Sequence, residues 1–274
     1  MAKLHMLKSV TDTISMSFIL ESKDGVFVMD GGDYTEKEYM LSYLRMLGSR
    51  VRAWFLTHPH DDHVGCLISL LEENDDITVD EVYYNFPTEE FAVSYEPNQG
   101  SMTTSDLYNR LRVVTANNNI KATTVKDMGE YKFGSLTVRA LRTPNESITE
   151  DAVNNSSVVF RFEINGKSIL FLGDLSIAGG RELLERVPRE LIKSDYVQMS
   201  HHGQKGVEKC VYEVIAPKYA MWCNPEWMWN NRADKIGDYD TGKMKTVIVR
   251  GWMSEIGTVK RHYLAHDRTQ IIDL

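Results

Sequence analysis

The stretch WFLTHPHDDHVG, Trp54 to Gly65, places three histidines and two aspartates within six residues directly after an apolar run. The run itself, VRAWFLT, has the make-up of a buried strand, and GCLISLLEEN after it carries helical spacing, so the cluster falls between a strand end and a helix start. Such junctions hold functional side chains on a rigid scaffold. Imidazole nitrogens and carboxylate oxygens are ligands for zinc, manganese or iron, and crowding two carboxylates into one turn is electrostatically reasonable when a dication offsets them.

Working outward, SFILES and DGVFVMDGG form two strands joined through Lys23-Asp24-Gly25, and the second ends at Asp30-Gly31-Gly32. TEKEYMLSYLRMLG reads as a helix with Thr35 and Glu38 as a capping box and Gly48 as its stop. EVYYNF is strand-like, a polar loop surrounds Glu96 to Gly100, and SDLYNRLRVVTANN is helical. In the second half EYKFGSLTVRAL is strand-like, and RTPNESITEDAVNNS is a polar loop. SVVFRFEINGKSILFLGD is then a hairpin about Asn165-Gly166 that ends at Asp174. A helix at GGRELLERV leads to SDYVQMSHHG, another apolar run, ending in His201-His202-Gly203. VYEVIAPKYAMWCN and TVIVR loosely repeat the order strands, helix, strand, with TVIVR as the last strand, and GTVKRHYLAHDRTQIIDL alternates like a hairpin. Asp30, His58 to His63, Asp174 and His201 each follow an apolar strand run, so one edge of a packed sheet layer gathers them. The expectation is a sheet-rich α/β protein with two similar halves, in a single domain over residues 1–274.

A hydrophobic share of 42% against 26% charged residues, with only seven prolines, describes a packed, water-soluble chain. The net charge of −8 repels a polyanion at long range, which argues against a general nucleic-acid binder and favours a small-molecule substrate. Cys66, Cys210 and Cys223 are odd in number and lack a CxxC pair, which fits buried reduced thiols. MAKLHMLKSV lacks the pattern of a signal peptide, and no run approaches the roughly 18 apolar residues of a membrane span, so the expected location is cytoplasmic, with no membrane partner.

His58-Pro59-His60-Asp61-Asp62-His63 resembles the HxHxDH motif of the metallo-β-lactamase superfamily, with MDGG before it and LGD and SHHG after it in that family's order. NNSSVVFRFEINGKSILFLGD followed by SDYVQMSHHG is similar to the branch that includes the metallo-β-lactamase-like domain of the bacterial DNA-uptake competence channel protein; the resemblance covers residues 4 to 225. It implies a four-layer αββα sandwich and two divalent metal ions, zinc first and manganese second. His58 and His60 would bind one ion, Asp62 and His63 the other, and Asp174 would bridge them. His201 would complete the second site, with His202 as the alternative, and Asp30 would orient a ligand from behind. The metals would activate a water that Asp62 helps position, for hydrolysis of a phosphodiester such as a nucleotide; a lactone or thioester hydrolase and a non-catalytic binding module are the alternatives.

The chain departs from this pattern in places. No histidine occurs from Val64 through Ser200, where many relatives have a further ligand for the first metal; Asn154-Asn155-Ser156-Ser157 stands there instead, which predicts weaker zinc binding and room for manganese. The branch's VGQGD start is replaced by SVTDT, and its HHGS by HHGQ. Asn154 and Asn155 either meet a metal or water or start the next strand through side-chain to backbone bonds. Trp222, Trp227 and Trp229 either wall a substrate pocket or pack in the core. His262 and His266 have helical metal-pair spacing within an alternating segment, which discounts them as ligands, and the lysines of KYAMW, KMKTVIVR and VKRH read as a solvated face.

Overall fold

The computed structural model describes residues 1–73, 76–99 and 102–274; Asn74, at the end of GCLISLLEEN, and Gly100, in the expected polar loop, lie outside the described residues. The first half runs β1 (Lys3–Met6), β2 (Ser17–Ser22), β3 (Gly25–Asp30), α1 (Lys37–Met46), β4 (Arg50–Phe55), α2 (Asp61–Glu72), β5 (Thr78–Val79), β6 (Glu81–Tyr84), α3 (Glu89–Tyr95), β7 (Asn98–Gln99), β8 (Met102–Thr103), α4 (Thr104–Asn117) and β9 (Lys121–Thr124). The second half runs β10 (Gly129–Phe133), β11 (Leu136–Arg142), β12 (Val159–Ile164), β13 (Lys167–Phe171), α5 (Ile177–Arg186), α6 (Arg189–Ile192), β14 (Tyr196–Gln198), α7 (Lys209–Ile215), β15 (Tyr219–Trp222), α8 (Glu226–Trp229), α9 (Thr246–Ile256), β16 (Arg261–Leu264) and β17 (Gln270–Asp273). One sheet has the order β17-β1-β2-β3-β4-β6-β9, with β5 beside β4, and the other runs β10 to β16 in sequence order.

The alternation of side chains along the strands sets the layers. In β3, Phe27 and Met29 join a core that also holds Phe160, Phe162 and Phe171 of the other sheet, while Val26 and Val28 join Leu41, Leu44, Leu67 and Leu70 of α1 and α2. In β13, Ile169 and Phe171 face the same central core, while Leu170 packs with Leu183 of α5, Val211 of α7 and Val249 and Met253 of α9. The result is the expected αββα sandwich.

Parallel pairing places the site. β3 pairs in parallel with β4, with Met29 opposite Phe55, and β13, β14 and β15 run parallel, with Leu170 opposite Val197 and Val197 opposite Ala220. Their carboxyl ends emerge at one edge of the sandwich and deliver Asp30, His58, Asp174, His201 and His202 there, the usual ligand side of parallel strands.

Several local expectations change. TVIVR is helical: Thr246, Val249 and Met253 are buried at helical spacing, and a five-residue apolar run does not by itself distinguish the two periods. GTVKRHYLAHDRTQIIDL is no hairpin, because β16 pairs in parallel with β15 while β17 crosses to β1 of the other sheet. The first helix begins with a short turn, Tyr34–Glu36, capped by Asp33, whose carboxylate accepts from the Thr35 N–H at 2.8 Å, rather than by a Thr35 and Glu38 box. Glu36 instead turns toward residues 9–11 and accepts from Ser9 Oγ and the Val10 and Thr11 N–H groups. None of the three cysteines forms a disulfide; Cys66 and Cys223 are buried, but Cys210 is exposed on α7. No helix among the described residues is long and apolar enough to cross a membrane.

Candidate metal centre

Helix α2 starts inside the cluster, so Asp61 and Asp62 occupy its first turn, where the helix dipole favours negative charge. Across the sheet edge, Gly173 holds φ +57° in the turn that delivers Asp174, and a Cβ there would stand 2.9 Å from Ser157 Oγ and Thr57 Cβ. His201 and His202 follow β14 in the left-handed region, at φ 51° and 56°, and Asp30 is there too at 56°. Three non-glycine residues held in this sparsely populated conformation mark backbone constrained for side-chain placement.

Four imidazoles are each anchored through one nitrogen, which leaves the other available. Asp30 Oδ2 accepts from His63 Nδ1 at 2.8 Å and from Thr57 Oγ1 at 2.8 Å. Because the Thr57 hydroxyl donates to Asp30, it accepts from His58 Nδ1 at 3.1 Å and leaves His58 Nε2 as the free acceptor. Glu96 Oε2 accepts from His60 Nε2 at 3.0 Å, which turns His60 Nδ1 toward His58 Nε2, 3.0 Å away. His202 Nδ1 donates to the Cys223 carbonyl at 2.8 Å. Anchoring of this kind fixes the tautomer and aim of metal-binding histidines.

The free atoms converge. Asp62, His63, Asp174 and His202 each offer one ligand atom within 4.8 Å of the others. His63 Nε2 lies 3.2 Å from Asp174 Oδ1, and His202 Nε2 lies 3.0 Å from Asp62 Oδ2 and 3.3 Å from Asp174 Oδ2. Yet His63 Nε2, His202 Nε2 and Asp174 Oδ1 are all buried without an aligned hydrogen-bond partner. Buried polar atoms are rarely left so, and three facing one another fit a bound cation. His58 Nε2 and His60 Nδ1 form a second nitrogen pair beside them, with the His58 and His63 ring centroids 4.2 Å apart.

His201, the first choice from the sequence, stays outside this group: its Nε2 is 3.6 Å from Asp174 Oδ2, its ring borders a neighbouring cavity, and His202 holds the inward position because the Cys223 carbonyl anchors it. Asp30 lies behind the cluster, wholly buried against Thr57 and His63, and makes no approach to the cavity.

Charge is redistributed by this crowding. Burial opposes ionisation throughout, but Asp174 and Asp62 outweigh it at His202, pushing its pKa up to about 10. Burial would also lower His63, but Asp174, Asp62 and Asp30 raise it well above the usual range. Conversely, burial and the neighbouring His63 and His60 hold His58 well below it. Asp174, despite burial, is held well below the usual carboxylate range by His202, His63 and His201. Without a metal, protons on the histidines offset the carboxylates.

Two supporting residues escape the sequence reading, which leaves a third open. Glu96 came from a polar loop with no motif, and Thr57 precedes the motif as an ordinary strand-end residue. Asn155 caps α5: its Oδ1 accepts from the Ser176 and Gly179 N–H groups at 3.0 and 2.9 Å, which settles the open choice for that residue in favour of a structural role. The tryptophans divide. Trp222 is core and Trp229 packs on it, with ring centroids 5.1 Å apart, whereas Trp227 borders a cavity with His60, Asp62 and Glu96. His262 Nδ1 accepts from Trp222 Nε1 at 3.0 Å and His266 packs at a tilt against Trp229, so neither joins the cluster.

The sequence profile of the metallo-beta-lactamase superfamily matches residues 10–206, and the chain belongs to that family. No curated protein sequence matches it. Among solved structures, it is similar in fold to the metallo-beta-lactamase fold protein YhfI from Bacillus subtilis, with a TM-score of 0.58 and 9% identity over 100% of both chains. Zn(2+)-bound PqqB from Methylobacterium extorquens matches with a TM-score of 0.60 and 13% identity, again over 100% of both chains. Igni18, a metallo hydrolase from the archaeon Ignicoccus hospitalis, matches with 0.57 and 9% over 100% of both. At these identities the likeness is one of fold.

Proposed function

We propose that this chain is a hydrolase that uses two divalent metal ions, zinc first and manganese second, and acts on a phosphodiester. The observation that carries the proposal is the set of buried, unsatisfied atoms at His63 Nε2, His202 Nε2 and Asp174 Oδ1, facing one another beside Asp62. Those residues would hold one ion, His58 Nε2 and His60 Nδ1 the other, with Asp174 between them. The mixed nitrogen and oxygen donors suit zinc or manganese, and the pair of histidines without a third leaves the His58 and His60 ion the more exchangeable.

When bound, such ions lower the pKa of water and neutralise charge on phosphate oxygens. The chain supplies the rest. Asp62 is the least buried carboxylate of the cluster and borders the cavity that also holds His60, Glu96 and Trp227, so it accepts a hydrogen bond from the attacking water and orients it toward the substrate. Asp30 keeps His63 aimed through Nδ1, and Glu96 does the same for His60. The Asn154 to Ser157 and Leu172 to Asp174 segments resemble the branch that includes the domain of the DNA-uptake competence channel protein; the net charge of −8 favours a small phosphodiester over a nucleic-acid strand.

The test is turnover of bis(p-nitrophenyl) phosphate, alongside p-nitrophenyl acetate and a lactone, before and after adding zinc or manganese. Metal-stimulated cleavage of the phosphodiester is the expected result. Cleavage of the acyl substrates alone would move the chain to lactone or thioester hydrolysis, and bound metal with no turnover of any of them would make it a binding module.

A further inference from the structure

Beside the cluster, on the His201 side, lies a cavity of about 680 Å³, within the size range of small-molecule sites. Lys205, Lys243 and Lys245 stand on its wall, from the loop after His201-His202 and from the segment before α9. None of the three forms an ion pair among the described residues. Two carboxylates also line the cavity, Glu150 and Asp151, and Asp151 accepts from Asn154 Nδ2 at 2.9 Å and from Ser176 Oγ. Three lysines against these two carboxylates leave the wall an excess of one positive charge, in a chain whose net charge is −8. The cavity on the other flank of the cluster, by contrast, carries Asp33, Asp61, Asp62 and Glu96 against one lysine, Lys235.

Deeper in the cationic cavity, Asn154 is only 7% exposed. Its Nδ2 bond to Asp151 fixes which way the amide points, and its Oδ1 is left buried with no donor. His201 Nδ1, on the same wall, is also buried and without a partner. A pocket with free cations at its rim and an acceptor lacking a donor inside is complementary to a ligand that is anionic and carries a hydroxyl close to its charge.

We infer that this cavity binds a second anionic group of the substrate, a phosphate or a carboxylate set beside a hydroxyl, while the bond to be cleaved lies at the metal cluster. The inference rests on the hydrolase reading for what happens at the cluster, but the cavity's ligand chemistry is tested by binding. His201, left out of the metal cluster, would then face the substrate between the two regions.

The test is isothermal titration of the purified protein with sn-glycerol 3-phosphate and, in a separate arm, with D-glycerate, which distinguishes phosphate from carboxylate. Lys243→Gln/Lys245→Gln is expected to weaken binding of the preferred probe about tenfold or more, as loss of charge-assisted contacts does, and Lys243→Arg/Lys245→Arg to retain it. Both lysines are exposed, so a matching thermal melt checks that the fold is intact. Absence of binding to the unmodified protein, or equal binding by it and the glutamine variant, overturns the inference and leaves hydrolysis standing. Lysine-dependent binding without turnover of any phosphodiester, acyl ester or lactone sinks the hydrolase reading while the anion site stands.

Discussion

Asp30 Oδ2 and His63 Nδ1 lie 2.8 Å apart, both wholly buried, so the carboxylate that ends β3 dictates which nitrogen of a histidine in α2 faces Asp62, Asp174 and His202. Asp30 also accepts from the Thr57 N–H at 2.7 Å and from the Thr57 hydroxyl. Every group around it is a donor. Asp30→Asn would turn an amide NH2 toward one of them, so the variant should lose about 1–3 kcal/mol of stability. It should also bind metal about 10–100-fold more weakly, as removal of such anchors does. Urea unfolding and a zinc competition titration measure the two losses, and unchanged zinc affinity would remove Asp30 from the site.

Glu96 gives a more selective handle. Its carboxylate is more than a third exposed and touches the cluster only through His60 Nε2. Glu96→Ala should leave the fold intact and loosen the His58 and His60 ion alone, so metal content after dialysis should fall from two equivalents toward one. Loss of both ions together would contradict the separate roles assigned to the two nitrogen pairs.

The protons held by the metal-free cluster make a pH prediction. His202 is raised to about 10 and His63 is raised well above the ordinary histidine range, so in the metal-free protein both favour folding most below that range. That stability is fully present below about pH 6.5 and is lost as pH rises through the folded values. The metal-free melting temperature should therefore fall between about pH 7 and pH 10, for His202 within that window. Metal must displace the same protons, so zinc uptake at pH 8 should release protons, measurable by titration in buffers of different ionisation enthalpy. Uptake without proton release would place the metal elsewhere.

Behind Asp174 a buried ion pair holds the opposite wall of the site. Arg142, 1% exposed, donates through Nε to Glu182 Oε2 at 2.8 Å and through Nη1 to the Ser157 carbonyl at 3.0 Å, and Ser157 Oγ accepts from the Asp174 N–H at 3.0 Å. Burial would raise the Glu182 pKa, but Arg142, Asn145 and Arg186 bring it below the usual value. Its contribution is therefore present above the unfolded carboxylate value and disappears as pH falls through the lowered folded one. Glu182→Gln leaves a buried guanidinium without its counter-charge and should cost about 3 kcal/mol at neutral pH, less in acid. Equal losses at neutral and acid pH in urea melts would show that charge is not what Glu182 contributes.

The sandwich and the cluster were legible in the sequence because strand periodicity and the HxHxDH spacing are local signals. Each of Asp30, His58 and Asp174 follows an apolar strand run, and parallel pairing then brings those strand ends to one edge. What escaped depends on partners distant in the chain. His202 rather than His201 lies in the converging group, anchored by the Cys223 carbonyl, which the sequence near SHHG does not disclose. Glu96 reaches His60 from a loop with no pattern of its own. TVIVR looked like a strand because its β-branched residues are those a strand prefers, while burial of Val249 and Met253 against the second sheet makes it a helix. The final segment looked like a hairpin because both of its strands alternate, although each belongs to a different sheet.

The central claim is that Asp62, His63, Asp174 and His202 form a metal site with His58 and His60 beside it. Metal content by mass spectrometry tests it most directly, on protein purified without chelators, for the unmodified chain and for His202→Ala and His201→Ala side by side. The account predicts two equivalents in the unmodified chain, about one in His202→Ala, and two in His201→Ala. No metal in the unmodified chain, or loss of metal from His201→Ala but not from His202→Ala, would contradict it.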